Sequence, residues 1–129
     1  MKSALVFVLF GASSFAAHAA GWNCRNNDLE IRCADGKCEA QREGEFTPFA
    51  VSFERSGRSL SVCAYSGCWE GKSRALKSGT HLLLSGRGLK WSGTTPDSAD
   101  FMVAIDTRDR IGFVQGEGFA MPMTCTESD

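Results

Sequence analysis

Histidine is scarce in this sequence, and its scarcity limits the catalytic chemistry that the chain can support. The 129 residues include 2 histidines, and His18 lies in a segment that we expect to be removed. A Ser-His-Asp or Cys-His mechanism would therefore have to use His81. No Gly-x-Ser-x-Gly motif supplies an exposed serine nucleophile. We expect that the protein is not an enzyme, and the alternative is a small hydrolase that uses His81.

The sequence also lacks the patterns of several other functional classes. It has no Cys-x-x-Cys redox motif, and the aspartates of residues 97–109 lack the every-second-residue spacing of a calcium loop. The carboxylate pairs Asp106 with Asp109 and Glu43 with Glu45 fall in predicted turns, which disfavours a glycosidase-like site. Basic and acidic residues nearly balance, at 14 against 15, so a strong basic excess is missing. We therefore expect no cofactor and no nucleic-acid partner.

The first 19 residues have the organisation of a signal peptide. Lys2 gives a positive start, residues 4–10 form an apolar run, and residues 17–19 read Ala-His-Ala, a small-x-small cleavage site. The apolar run is shorter than the about 20 residues that a membrane-spanning helix needs. We therefore expect residues 1–19 to be cleaved. Residues 20–129 would then form a single β-rich domain, periplasmic or secreted, with no membrane span in the mature protein.

The 6 cysteines, all after residue 19, predict three disulfides in an exported chain of this length. Cys33 and Cys38 flank Asp35-Gly36, which favours a type I′ turn and puts the cysteines in a facing pair about 4.5 Å apart. A second pair has the same spacing, and the two remaining cysteines lie near the chain ends. The predicted bridges are Cys33–Cys38, Cys63–Cys68 and Cys24–Cys125. The alternative, a zinc site built from the two Cys-x4-Cys pairs, is disfavoured in an oxidising compartment, so we expect no metal.

Alternating apolar and polar residues predict strands along almost the whole mature chain. Leu60, Val62 and Ala64 alternate with polar or small residues, and Gly or Asp turns separate the runs. The run of residues 81–84, His-Leu-Leu-Leu, is interpreted as a strand buried on both sides. Together these patterns predict an all-β fold, a small disulfide-stapled antiparallel barrel or sandwich of about eight short strands.

The charge distribution distinguishes one segment of the mature chain. Residues 72–90 contain five basic residues and His81 but no acidic residue, and a tryptophan lies on each side of the segment. A basic surface with tryptophans is suited to an anionic glycan or an acidic protein. The alternative is that the tryptophans belong to the core and the basic residues are simply solvated. The candidate partner-binding residues are Trp69, Lys72, Arg74, Lys77, Arg87, Lys90 and Trp91.

Terminal cysteines, an early Val51-x-Phe53 and a final Met123-Thr124-Cys125 give the chain a layout that resembles bacterial periplasmic lysozyme inhibitors. The resemblance is one of layout, and no functional residue of that family is carried over. We expect an exported, non-catalytic binding or inhibitor module that acts on an envelope protein or an anionic glycan. Besides the hydrolase, a further alternative is a structural accessory subunit of a periplasmic enzyme, which would expose an apolar patch of more than a few hundred Å².

The signal-peptide hypothesis predicts the first residue of the exported protein. Cleavage after Ala19 should produce a mature chain that begins at Ala20 or Gly21. N-terminal sequencing of protein recovered from the periplasm or the medium measures this directly. A chain that starts at Met1 and sediments with the membranes would contradict the prediction.

Overall fold

The computed structural model describes residues 20–129, and the predicted signal peptide lies outside them. Ten strands and the turns between them make up this part of the chain, which contains no helix long and apolar enough to cross a membrane. The all-β prediction is therefore confirmed. In chain order the strands are β1 (Gly21–Arg25), β2 (Leu29–Ala34), β3 (Lys37–Arg42), β4 (Ala50–Glu54), β5 (Ser59–Ala64), β6 (Gly67–Ser78), β7 (His81–Trp91), β8 (Ser98–Asp106), β9 (Ile111–Gly116) and β10 (Phe119–Ser128).

Eight of the ten strands close into an antiparallel barrel. The order around it is β1-β4-β5-β6-β7-β8-β9-β10, and β1 also pairs with β10, so the sheet returns to its start. At this seam Trp22 lies opposite Glu127 and Cys24 lies opposite Cys125. Closure pairs the backbone of both terminal strands, which removes the open edges that a sandwich would leave. Of the two predicted folds, a barrel or a sandwich, the protein adopts the barrel.

The barrel interior is filled by side chains from alternate positions of the strands, as the period of two requires. Leu60, Val62 and Ala64 point inward, as their alternation predicts, and each is at most 3% exposed. Interior aromatic and aliphatic side chains leave the barrel packed rather than hollow. The other buried apolar residues are Trp22, Cys24, Phe49, Val51, Phe53, Leu84, Leu89, Ala99, Phe101, Val103, Ile105, Val114, Phe119, Met121, Met123 and Cys125.

All three predicted disulfides are present. Cys24–Cys125 lies inside the barrel at the β1–β10 seam and joins residues 101 apart in sequence. Cys33–Cys38 and Cys63–Cys68 each close a hairpin turn. No cysteine of residues 20–129 remains free, so the thiolates that the zinc alternative needs are absent from this part of the chain. Three intramolecular disulfides are consistent with an oxidising environment.

Strands β2 and β3 form a hairpin outside the barrel that is attached through β10. Arg32 pairs with Phe119, and the backbone N–H of Cys33 donates to the carbonyl of Gly118 at 2.6 Å. The Arg32 guanidinium also lies over the Phe119 ring, 4.7 Å from its centroid. A cation and a backbone hydrogen bond therefore hold the hairpin against the end of the barrel where Phe119 closes the core.

Glu30 is a buried carboxyl group in this hairpin. The residue is 1% exposed, and its Oε2 has no hydrogen-bond partner among the described residues. Burial raises the pKa of Glu30, and the charge of Arg32 offsets part of that rise. Because the folded protein holds this proton more tightly than the unfolded chain does, folding is favoured at a pH at which Glu30 is protonated.

The disulfide positions predict unequal contributions to stability. In the chain-entropy model, replacing Cys24 and Cys125 by alanine should cost about 4.7 kcal/mol, because the bridge closes a loop of 101 residues. The same replacement at Cys33 and Cys38, which are 5 residues apart, should cost about 2 kcal/mol. Denaturant unfolding of the two double variants measures both losses. Equal losses, or a larger loss for the hairpin bridge, would contradict the prediction.

The buried carboxyl predicts a pH dependence. Stability that depends on protonated Glu30 is fully present below its ordinary pKa of 4.5 and is lost as the pH rises through the raised, folded-state pKa. Glu30→Gln cannot ionise, so the free energy of unfolding of the wild type should fall relative to this variant between about pH 4 and pH 7. Glu39→Gln, on the exposed strand β3, is the matched control. The Glu39→Gln variant should show the pH dependence of the wild type. If the stability of the wild type fell with pH relative to Glu39→Gln as much as relative to Glu30→Gln, the effect would belong to another group.

Candidate functional site

The hairpin of β6 and β7 is the longest in the barrel, with strands of 12 and 11 residues. Its register shifts between Glu70 and Ser73, where β7 has one residue more than β6. The extra length is taken up around Arg87-Gly88, and Gly88 has a φ of 58°, in the left-handed region that favours glycine. A bulge of this kind changes the direction of the side chains beside it. The predicted basic segment therefore contains an irregularity that its charge pattern does not indicate.

Four basic residues line one surface groove beside this bulge, which we call the basic groove. They are Arg58, Lys72, Arg74 and Arg87, and the groove has a volume of about 1000 Å³. Three of them were predicted, and Arg58 comes from the turn between β4 and β5. Serine hydroxyls complete the lining, together with one acidic residue. These further residues are Ser56, Ser73, Ser85 and Asp100.

Hydrogen bonds to two backbone carbonyl groups fix the two sides of the basic groove to each other. Ser73 is 6% exposed, and its N–H and hydroxyl both donate to the carbonyl of Arg58, at 2.9 and 3.2 Å. Lys72 Nζ donates to the carbonyl of Gly57 at 2.7 Å. The β4–β5 turn is thereby held against β6, which brings Arg58 to residues distant in sequence.

The acidic residue of the groove is itself engaged by the backbone. Asp100 Oδ1 accepts a hydrogen bond from the N–H of Gly88 at 2.6 Å. The carboxylate thereby stabilises the bulge that carries Arg87. The groove as a whole combines four positive charges with one negative charge, and arginine guanidinium groups bind carboxylate, sulfate or phosphate oxygens in pairs.

The two other predicted basic residues lie outside the basic groove. Lys77 lines a depression of about 670 Å³ that also includes Arg55, Arg58 and Glu127, and Arg55 forms an ion pair with Glu127 at 3.6 Å. Lys90 lies opposite Glu70 in the β6–β7 pairing. Arg58 borders both the depression and the groove. Lys77 therefore lies in a depression that adjoins the basic groove at Arg58, and Lys90 is separate from both.

The two predicted tryptophans pack toward the core. The rings of Trp69 and Trp91 are 4.4 Å apart between centroids, and Trp69 lies 5.2 Å from the ring of the buried Phe101. Trp69 is partly buried against the core, and neither tryptophan lines the basic groove. The structure therefore brings three of the seven candidate residues together and assigns the aromatic pair mainly to packing.

His81 lies at the start of β7, away from the basic groove, with 55% of its side chain exposed. Its Nε2 is 3.8 Å from Asp106 Oδ2. The backbone N–H of Asp109 lowers the pKa of Asp106 most, with further contributions from Arg108 and His81, so this carboxylate is ionised at neutral pH. Within residues 20–129, His81 forms no hydrogen bond to a serine or threonine hydroxyl. No group of three potential metal ligands occurs in the same part of the chain.

An apolar surface that the sequence pattern did not indicate lies on the outside of β6–β9, and we call it the apolar wall. It contains five of the six large apolar side chains that are exposed among the described residues. Residues 81–84 were interpreted as buried on both sides, but Leu83 is 40% exposed and only Leu84 is buried in the core. Because side chains alternate between the two faces of a strand, this run had to place at least one leucine outward, although the run alone does not identify which one. The wall consists of Leu76, Leu83, Met102, Ile111 and Phe113.

Comparisons of this chain with known protein families, with characterised proteins and with solved structures find no match. The layout shared with bacterial periplasmic lysozyme inhibitors therefore remains a resemblance. The functional conclusion depends on the geometry of the basic groove, the surroundings of His81 and the apolar wall.

Proposed function

We propose that this protein is an exported, non-catalytic binding or inhibitor module that holds an anionic group of an envelope protein or glycan in its basic groove. The observation that carries the proposal is the convergence of Arg58, Lys72, Arg74 and Arg87 on one groove. These residues come from a turn and two strands, and hydrogen bonds between backbone and side chains hold those elements together. The backbone that carries these cations is thereby held in place, so binding does not have to order it.

Electrostatics makes the groove distinct from the rest of the molecule. Residues 20–129 contain two more acidic than basic residues, yet the groove has four cations around one aspartate. Such a local positive field attracts an anionic partner through solvent and increases the association rate, with less effect on the stability of the fold. The attraction weakens with salt, because the Debye length is about 8 Å at physiological ionic strength.

The surroundings of His81 favour binding over hydrolysis. A hydrolase of the Ser-His type needs a hydroxyl within hydrogen-bond reach of the histidine. His81 instead has Asp106 beside it and does not line the basic groove. The groove itself offers cations and serines but no histidine and no pair of carboxylates. This composition suits the recognition of an anion better than general acid–base chemistry.

The apolar wall supports a second candidate function, a structural accessory subunit. That alternative requires an exposed apolar patch of more than a few hundred Å². The five large apolar side chains on β6–β9 are a patch of this kind, on residues that neither the groove nor His81 uses for polar contacts. If the protein is an accessory subunit, the enzyme that it accompanies would pack against the apolar wall.

The basic groove predicts a salt-sensitive effect of charge reversal. Arg74→Glu with Arg87→Glu should slow association with an anionic envelope partner by about tenfold or more at low ionic strength, and should flatten its dependence on salt. Both positions are exposed, so the melting temperature should move by no more than about 3 °C. The assay uses wild type and variant as parallel baits in envelope extract, followed by association kinetics with the protein or glycan captured.

The matched control is Lys37→Glu with Arg42→Glu, which makes the same change of charge on the exposed strand β3. This control should associate at the rate of the wild type. Normal binding by the groove variant at low salt would contradict the proposal. Capture of a basic partner would also contradict it, and would move the site to the acidic residues 97–109.

A further inference from the structure

Charged residues occupy inner-face positions of the strands at one end of the barrel. Residues that pair across neighbouring strands have their side chains on the same face of the sheet. Lys77 pairs with Leu82, and Leu82 pairs with Ile105, which is 0% exposed in the core. Glu127 pairs with Trp22, which is 2% exposed. Lys77 and Glu127 therefore lie on the inner face, where most other strand positions carry apolar side chains.

The two ends of the barrel are closed in different ways. Phe119 and Glu127 lie toward opposite ends of β10. At the Phe119 end, this ring packs 4.8 Å from the ring of Phe49, and the β2–β3 hairpin is attached beside it. At the Glu127 end, β6 contributes the small side chain of Ala75 to the inner face, opposite the buried Leu84. Room therefore remains at this end, in the depression of about 670 Å³ that Lys77 lines.

This space, which we call the barrel-end depression, has the size and the base of a small-molecule site. Such sites have volumes of about 300–1,000 Å³, and the mouths of β-barrels are among their usual places. The base of the depression is apolar, because Trp22, Phe53 and the partly buried Leu82 line it. The packed core beneath these residues limits the depth, so a ligand needs a short apolar body.

The charges above this base select the sign of the ligand. Arg55 forms an ion pair with Glu127 at 3.6 Å. Within residues 20–129, neither Arg58 nor Lys77 forms an ion pair. Two positive charges are therefore left without a fixed counter-charge beside an apolar surface. Guanidinium and ammonium groups both bind carboxylate or phosphate oxygens. The complementary molecule has an acidic head group and an apolar body.

We propose that the barrel-end depression binds a small amphipathic organic anion, with its head group on Arg58 and Lys77 and its apolar body against Leu82. The site is separate from the basic groove, which neither Lys77 nor Leu82 lines. Arg58 borders both surfaces. A bound anion would therefore neutralise one of the four cations that the groove presents to its partner.

The test is an NMR titration of the exported protein, with its disulfides intact, using octanoate at about 0.15 M salt. The indole N–H signal of Trp22 and the methyl signals of Leu82 should shift and reach saturation. The other two indole signals, from Trp69 and Trp91, lie outside the depression and should stay in place. Leu83 faces the apolar wall, so its methyl signals detect adsorption there. Octylammonium, which has a cationic head group of similar size, should leave Trp22 and Leu82 unshifted.

Two pairs of matched variants locate the head group and the apolar body. Lys77→Gln should raise the dissociation constant of octanoate by about fivefold. Lys90→Gln removes the same charge outside the depression and should bind like the wild type. Leu82→Thr keeps strand propensity and should weaken binding by a similar factor, whereas Leu83→Thr on the opposite face should not. Thermal unfolding checks that each variant is folded.

The outcome is independent of the proposed function. Arg74→Glu with Arg87→Glu changes the basic groove but not the depression, so this variant should keep the saturable shift of Trp22. Octanoate shifts that do not saturate, or equal binding of octylammonium, would overturn the proposal. Equal losses in Lys77→Gln and Lys90→Gln would overturn it as well.

Discussion

The pairing of β1 with β10 is the constraint on which the rest of the structure depends. Strands β4 to β10 follow one another around the barrel, and β1 inserts between β10 and β4. The buried Cys24–Cys125 bridge lies in this seam, beside core residues of both strands. Without the seam, both terminal strands would present open edges, and the core would be exposed to solvent between them. The basic groove and the apolar wall keep their shapes because the barrel cannot open.

Much of the fold was predictable because its signals are local. Alternation identified the strands, and the Asp35-Gly36 turn indicated a hairpin with facing cysteines. The choice between barrel and sandwich was not predictable, since side chains alternate between inside and outside in both. Proline has no N–H to donate to a neighbouring strand, so it is expected at sheet edges or bulges, and Pro122 follows this rule only in part. It sits on a central strand, but between the pairs that β10 makes with β2 and β1, where no partner needs its missing N–H.

Only those residues of the candidate site that are close together in the sequence were predictable. Lys72, Arg74 and Arg87 share one hairpin, so their charge pattern indicated a common surface. Arg58 belongs to another turn, and the hydrogen bonds from Ser73 that bring it to the groove are long-range contacts. The apolar wall was missed for a different reason. Its members alternate with core residues, and one strand does not reveal which apolar side chains of a run face outward.

The closure of the barrel also determines when the protein can fold. Most strand pairs join neighbours in sequence and can form early as hairpins, but β1 must wait for β10, about a hundred residues later. Contacts between distant residues form slowly, because a long loop has to close before they contribute any stability. Folding is therefore completed only when β10 is available to pair with β1. Until then, β1 and β10 have unpaired edges, and a chain in that state is the form most exposed to aggregation, to proteases and to chaperones.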